Sequence, residues 1–291
     1  MKKIEIVTDS NAGIDKELAE KLGVTIIPMP FFINDEEYFE NVNLSQDKFF
    51  QLLRQDVDIM TAQPSAYDLQ ERFKKMLENT KSIVYIPMSS GLSGSCETAK
   101  ALCKDFGGRV VVVDNTRISV TLKESVFEAL KMAEKGKNAV DIKTYLENTS
   151  KLSSVYIMVD DLKYLKKGGR INPAAALIGS VLKIKPVLTS DGGKFERLAL
   201  ARTVKQAQTF MIQAVEKDIK GKLKEVYEKG CLVMSVAHTN NYENALSFAQ
   251  ELQDRFPSIR FGGIDPLSLS VTCHIGEGAL AVALAVDNYL D

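Results

Sequence analysis

Short apolar runs alternate with amphipathic stretches through the first half of this chain, and that rhythm commits it to a layered α/β structure. Residues 4–7, 83–88 and 110–113 read as strands. The last is apolar at every position, as expected where both faces of a sheet are covered. Stretches 16–22, 45–55, 122–134 and 140–150 read as helices, with Gly23 as a C-terminal cap and Ser45 as an N-cap. A further helix is expected from about Cys96. The apolar run 25–33 is interrupted by Pro28 and Pro30, so it is expected at a sheet edge or in an extended excursion.

The second half has a different pattern. Strands are expected over 155–159, 183–189, 194–201, 231–237, 260–264 and 267–273, and Ser190-Asp191-Gly192-Gly193 is a hairpin signal between the second and third of these. Helices are expected over 203–228, weakened at Gly221, and over 244–255 and 279–290. This half reads as α+β with a mainly antiparallel sheet. A boundary falls near 151–154, and 291 residues are comfortable for two domains.

Composition narrows the function. Lys and Arg number 37 against 38 Asp and Glu, so the net charge is −1 and there is no basic excess of the kind nucleic-acid binders carry. The longest apolar run, 279–286, is far short of the roughly 20 residues that span a bilayer. Acidic Glu5 and Asp9 interrupt the basic N-terminus, so no signal-peptide core follows and a cytoplasmic location is expected. The cysteines Cys96, Cys103, Cys231 and Cys273 are scattered, without metal-ligand spacing, and read as buried free thiols. With His238 and His274 as the only histidines, no metal site is expected.

Three loops have the geometry of an anion site beyond the ends of strands. Ser89-Ser90-Gly91-Leu92-Ser93-Gly94-Ser95 follows a strand and opens a helix, so glycine backbone, serine hydroxyls and unpaired helix N–H groups converge. A flexible loop with a serine N-cap accounts for the same residues. It lacks both common nucleotide-binding glycine patterns. In Thr61-Ala62-Gln63-Pro64-Ser65, Ser65 is an N-cap with Asp68 as its partner, which leaves Thr61 unexplained. His274-Ile275-Gly276-Glu277-Gly278 follows an alternating stretch whose period sends His274 to the polar face at a strand end. His274 is the better functional candidate than His238, with water-satisfied loop histidines the alternative for both. Leu165-Lys166-Lys167-Gly168-Gly169 reads as a helix end, leaving Arg170 unexplained, and Arg202 stands beside the N-cap Thr203 as either a functional group or a surface charge. No nucleophile elbow, zinc motif or paired-carboxylate signature is present. Hydroxyls, a histidine and arginines suit holding a carboxylate or phosphate better than hydrolysis.

Val7-Thr8-Asp9-Ser10, Thr61-Ala62-Gln63-Pro64-Ser65, Ser90-Gly91-Leu92-Ser93-Gly94, Leu165-Lys166-Lys167-Gly168-Gly169-Arg170-Ile171, Ile184-Lys185-Pro186 and His274-Ile275-Gly276-Glu277-Gly278 occur in this order. The ordered set resembles the DegV family, bacterial fatty-acid-binding proteins that serve fatty acid kinase, over essentially the whole chain. The resemblance implies a Rossmann-like parallel-sheet N-terminal domain (1–152), an α+β C-terminal domain (153–291) and a lipid tunnel between them. It implies no catalytic residue and no cofactor of the protein's own. A bound long-chain fatty acid is presented to a separate ATP-dependent kinase, and the acyl phosphate passes to phospholipid synthesis. By motif, Thr61, Ser93, Gly94 and His274 hold the carboxylate, while Arg202 and Arg170 support phosphoryl transfer.

Three places depart from the family pattern: Ala62 stands for a usual serine, Glu277 for a usual proline, and Val120-Thr121-Leu122 where a glycine pair is common. Turned inward, Glu277 opposes a bound carboxylate unless paired with Arg202 or His274. The competing reading is an enzyme acting on a small carboxylated or phosphorylated metabolite at the same loops. A regulatory module is the third.

Overall fold

The computed structural model describes residues 2–40, 42–55, 57–176 and 184–288. The chain divides into two compact units, Met1–Ser150 and Lys151–Leu290. No helix among the described residues is long and apolar enough to cross a membrane.

In the first unit the strands are β1 (Lys2–Asp9), β2 (Thr25–Ile27), β3 (Phe31–Ile33), β4 (Glu36–Tyr38), β5 (Ile59–Thr61), β6 (Thr80–Ile86) and β7 (Val110–Val112). A parallel sheet runs in the order β2-β1-β6-β7, and β4-β3-β5 forms a small antiparallel sheet. Pro28 and Pro30 fall between the edge strand β2 and β3, where neither disturbs a ladder. Three helices begin or end where the caps direct. Ser45 accepts from Lys48 N, Ser65 from Asp68 N, and Gly23 takes the left-handed conformation after Lys16–Leu22. Val7, Ile83, Tyr85 and Val112 pack with Leu69, Phe73 and Ala99 from the helices Ala66–Leu77 and Ser95–Leu102 in a buried core.

The second unit contains β8 (Ser153–Met158), β9 (Lys185–Ser190), β10 (Glu196–Ala201), β11 (Leu232–His238), β12 (Arg260–Pro266) and β13 (Leu280–Val286), ordered β10-β9-β8-β13-β11-β12. Every pairing is antiparallel except β11 with β12, and the expected hairpin joins β9 to β10. The helices Val204–Lys220 and Tyr242–Arg255 bury Met211, Val215, Phe248 and Leu252 with Met158, Val187 and Met234 of the sheet. Residue 183, expected to begin a strand, lies outside the described residues.

Two expected elements are exchanged. The helix expected over 279–290 is the strand β13, inserted between β8 and β11; residues 289 and 290 lie outside the described residues. Its Leu-Ala-Val-Ala-Leu-Ala-Val run is buried at every position, with Leu280, Val282, Leu284 and Val286 in the core. A continuous apolar run has no period to separate strand from helix, and sheet pairing overrides alanine's helix propensity. The strand expected over 267–273 is instead the helix Leu269–Ile275. Its alternating hydroxyls do not need a polar face: Thr272 Oγ1 donates to Ser268 O at 2.9 Å, and Ser268 and Ser270 hydroxyls lie 3.4 Å apart. All four cysteines are free; Cys96 and Cys273 are buried as expected, whereas Cys103 and Cys231 are half-buried.

Candidate functional site

In the first unit the parallel strands deliver two segments to one end of the sheet. Asp9 ends β1 and is fully buried. Its carboxylate accepts Met88 N at 2.7 Å and Asn11 N at 2.9 Å. Burial raises its pKa to about 6, against the lowering effect of those amides. The next amide, Ser89 N, donates to Arg117 O at 2.9 Å, so the start of the serine-glycine loop is held on both sides. Leu92 N and Ser93 N both return to Ser89 O at 3.1 Å, and Ser95 N donates to Ser93 Oγ at 3.3 Å. Gly94 then opens the helix Ser95–Leu102 without a side-chain cap.

Thr61 closes β5 opposite Phe31, and Ala62 N donates to Pro30 O at 3.0 Å. The Gln63 amide bonds the Thr98 hydroxyl at 2.9 Å, and a Cβ added to Gly94 would lie 3.1 Å from Gln63 Oε1. Gln63 therefore brings the Thr61 segment against the Ser93-Gly94 loop. Thr61 and Ser93 are half-buried and Gly94 is exposed, so hydroxyls and a helix-opening backbone are both within reach of solvent.

In the second unit His274 occupies the last turn of the helix Leu269–Ile275 rather than a strand end, and a strand, not a helix, comes after it. Gly168, which ends the helix Lys163–Gly168, lies directly against its imidazole: a Cβ there would fall 2.0 Å from His274 Nδ1. Arg170 Nη1 donates to Gly168 O at 2.5 Å. Burial, and secondarily the Arg170 charge, lowers the His274 pKa to about 4, so the imidazole is neutral near pH 7. The glycines beyond it make close approaches. A Cβ on Gly276 would meet Tyr164 Cδ2 at 2.5 Å, and one on Gly278 would meet Asp160 Oδ2 at 2.8 Å. Lys185 Nζ pairs with Asp160 Oδ1 at 2.6 Å. Asn241 Nδ2 donates to Gly278 O, and Asn240 Nδ2 to Glu277 Oε1 at 2.6 Å. The Glu277 charge thus has a partner that the sequence reading did not consider.

Arg202 follows β10, exposed, its backbone N–H bonded to Gln206 Oε1 at 2.7 Å. The cation acting on His274 is Arg170. His238 is buried and accepts Asn241 N on Nδ1 at 3.2 Å, which makes it a structural cap for the loop after β11. Cys96, Glu97 and Asp114 cluster as possible metal ligands, yet Lys100 Nζ already bonds Glu97 at 2.7 Å and Asp114 at 2.9 Å. Burial also pushes the Cys96 thiol up to about 12, so that cluster does not suit a cation. Sequence reasoning passed over Gln63 and Asp160. Gln63 stood inside a quoted motif, but contact with Thr98, from a distant segment, is what gives it a role.

These are the features of a two-unit α/β protein offering hydroxyl, amide and neutral imidazole donors. The sequence model of the family described as "Uncharacterised protein, DegV family" matches residues 3–287. The chain belongs to the DegV family. It is 31% identical to Protein DegV of Bacillus subtilis over 285 residues, covering 96% of this chain and 98% of that protein. Among solved structures it resembles a fatty-acid-binding DegV family protein from Thermus thermophilus, with TM-score 0.88, 25% identity and coverage of 98% and 99% of the two chains. It likewise resembles DegV, a fatty acid binding protein from Bacillus subtilis, with TM-score 0.84, 28% identity and coverage of 99% and 100%.

Proposed function

We propose that this protein binds a long-chain fatty acid and presents its carboxylate to a separate ATP-dependent fatty acid kinase, whose acyl phosphate product feeds phospholipid synthesis. The observation that carries the reading is the full-length likeness to fatty-acid-binding DegV proteins. The donor chemistry supports it. Burying methylenes yields roughly 0.8 kcal/mol each, so a tail of about 14 gains on the order of 11 kcal/mol before ordering costs. A buried carboxylate cancels much of that unless hydrogen-bonded. Thr61 and Ser93 supply hydroxyls, Gly94 a backbone N–H, and neutral His274 a ring N–H. Arg202 and Arg170 supply positive charge for the developing phosphate, since phosphoryl transfer needs mainly positioning and charge stabilisation. The protein itself performs no phosphoryl transfer and acts from the cytoplasm.

Extraction of the purified protein with organic solvent, followed by mass spectrometry, is expected to release an acyl chain. Adding ATP and a fatty acid kinase to the loaded protein is expected to consume ATP, and the protein with ATP alone is not. Absence of any acyl chain after incubation with fatty acids overturns the binding reading. Turnover of a small carboxylated or phosphorylated metabolite without a partner favours the enzyme instead.

A further inference from the structure

The glycines around His274 differ in what they permit. Gly276 and Gly278 stand at φ of +81° and +86°, a backbone conformation that favours glycine whatever lies nearby. Gly168 has no such need. It is the last residue of the helix Lys163–Gly168, where alanine has the better intrinsic propensity. Glycine there works against its own helix, and the space around it supplies the reason. A Cβ would fall 2.0 Å from His274 Nδ1, 2.7 Å from Cε1 and 3.1 Å from Cγ. The imidazole therefore rests on a bare α-carbon.

The backbone that carries the ring is held in place. Its neighbours Cys273 and Ile275 are buried, and Gly276 N closes the helix onto Thr272 O at 2.8 Å while Gly276 itself abuts Tyr164. The Gly168 carbonyl also accepts Arg170 Nη1 at 2.5 Å. One residue thus fixes both the ring and the guanidinium whose charge reaches it.

We propose that Gly168 is the positioning residue for His274: its missing side chain is the seat of the imidazole, and its carbonyl holds the Arg170 guanidinium beside the ring. The inference rests on the reading that His274 donates to a fatty acid carboxylate.

A double-mutant cycle on the full chain tests it, with Gly168→Ala, His274→Ala and both together. Melting temperature and oleate affinity by calorimetry are read for each, and the His274 imidazole resonances by NMR for the native protein and Gly168→Ala. In the native background Gly168→Ala is expected to lower the melting temperature, weaken oleate binding roughly tenfold and shift the His274 resonances. In the His274→Ala background the same substitution is expected to leave affinity unchanged and to hold or raise the melting temperature, because only the helix propensity gain remains. Equal losses in both backgrounds overturn the proposal. Should Gly168→Ala alone fail to fold, recovery of folding in the double variant supports the seat, and failure of both overturns it. If the native protein binds no oleate while the stability and NMR coupling appear, the fatty acid reading falls and the seat stands.

Discussion

Asp9 places a carboxylate in the interior of the first unit, held by the amides of Met88 and Asn11. Its pKa of about 6 lies above the ordinary 3.8, so the folded protein holds the proton more tightly than the unfolded chain. The resulting stabilisation is full below about pH 4 and is lost as pH rises through about 6, amounting to on the order of 3 kcal/mol. Urea unfolding of the native protein and of Asp9→Asn is expected to show the native protein losing roughly that much relative to the variant between about pH 4 and pH 7.5. A pH-independent difference would mean that Asp9 does not titrate in this window. Thr61 and Ser93 belong to the same scale. Loss of a hydrogen bond to a charged group costs about 1.5–3 kcal/mol, so Thr61→Val and Ser93→Ala are each expected to weaken oleate binding roughly 10- to 100-fold. Calorimetry checks this; Ser93→Ala is also expected to lower the melting temperature slightly, because it removes the acceptor of Ser95 N.

At the scale of elements, Arg117 ties three segments of the first unit together. Its guanidinium donates to Ser125 Oγ at 3.0 Å and Thr149 O at 2.9 Å and lies 3.6 Å from Glu128 Oε2, while its carbonyl holds Ser89 N. Glu128 in turn accepts the Tyr145 hydroxyl, and both Arg117 and Glu128 are buried. Removing one partner strands a buried charge. Arg117→Met is expected to cost about 3–5 kcal/mol in chemical denaturation, and pairing it with Glu128→Leu to restore part of the loss. A cost under about 1 kcal/mol would show that the pair is not desolvated. The Arg117 connections were not legible in the sequence, because Thr149 and Ser89 lie far along the chain. Caps were legible: Ser45, Ser65, Thr203 and Gly23 act within one turn of themselves, and each sits where its residue type directs. The Leu269–Ile275 helix and β13 depart from expectation because both are buried nearly all round: β13 is apolar at every position and offers no period, while the alternating hydroxyls over 267–273 do not mark a solvent face.

On the scale of the whole molecule, ligand binding and stability are linked. A fatty acid that binds only the folded state adds about 2.7 kcal/mol at 100 times its dissociation constant. Thermal unfolding of delipidated protein is expected to shift upward by several degrees on adding oleate, in proportion to the logarithm of its concentration, and not on adding a short-chain acid. The sequence by itself determined the α/β rhythm of the first half, the strand-rich second half, the caps and the positions of the loops rich in glycine and hydroxyls. Each of these is a local pattern, fixed by neighbours within a few residues. Only the tertiary structure decided that an alanine-rich run becomes an inner strand, that Gln63 joins two loops, and that His274 rests against Gly168. Those outcomes depend on burial and on contacts between distant segments, where sheet pairing and close packing outweigh local propensity.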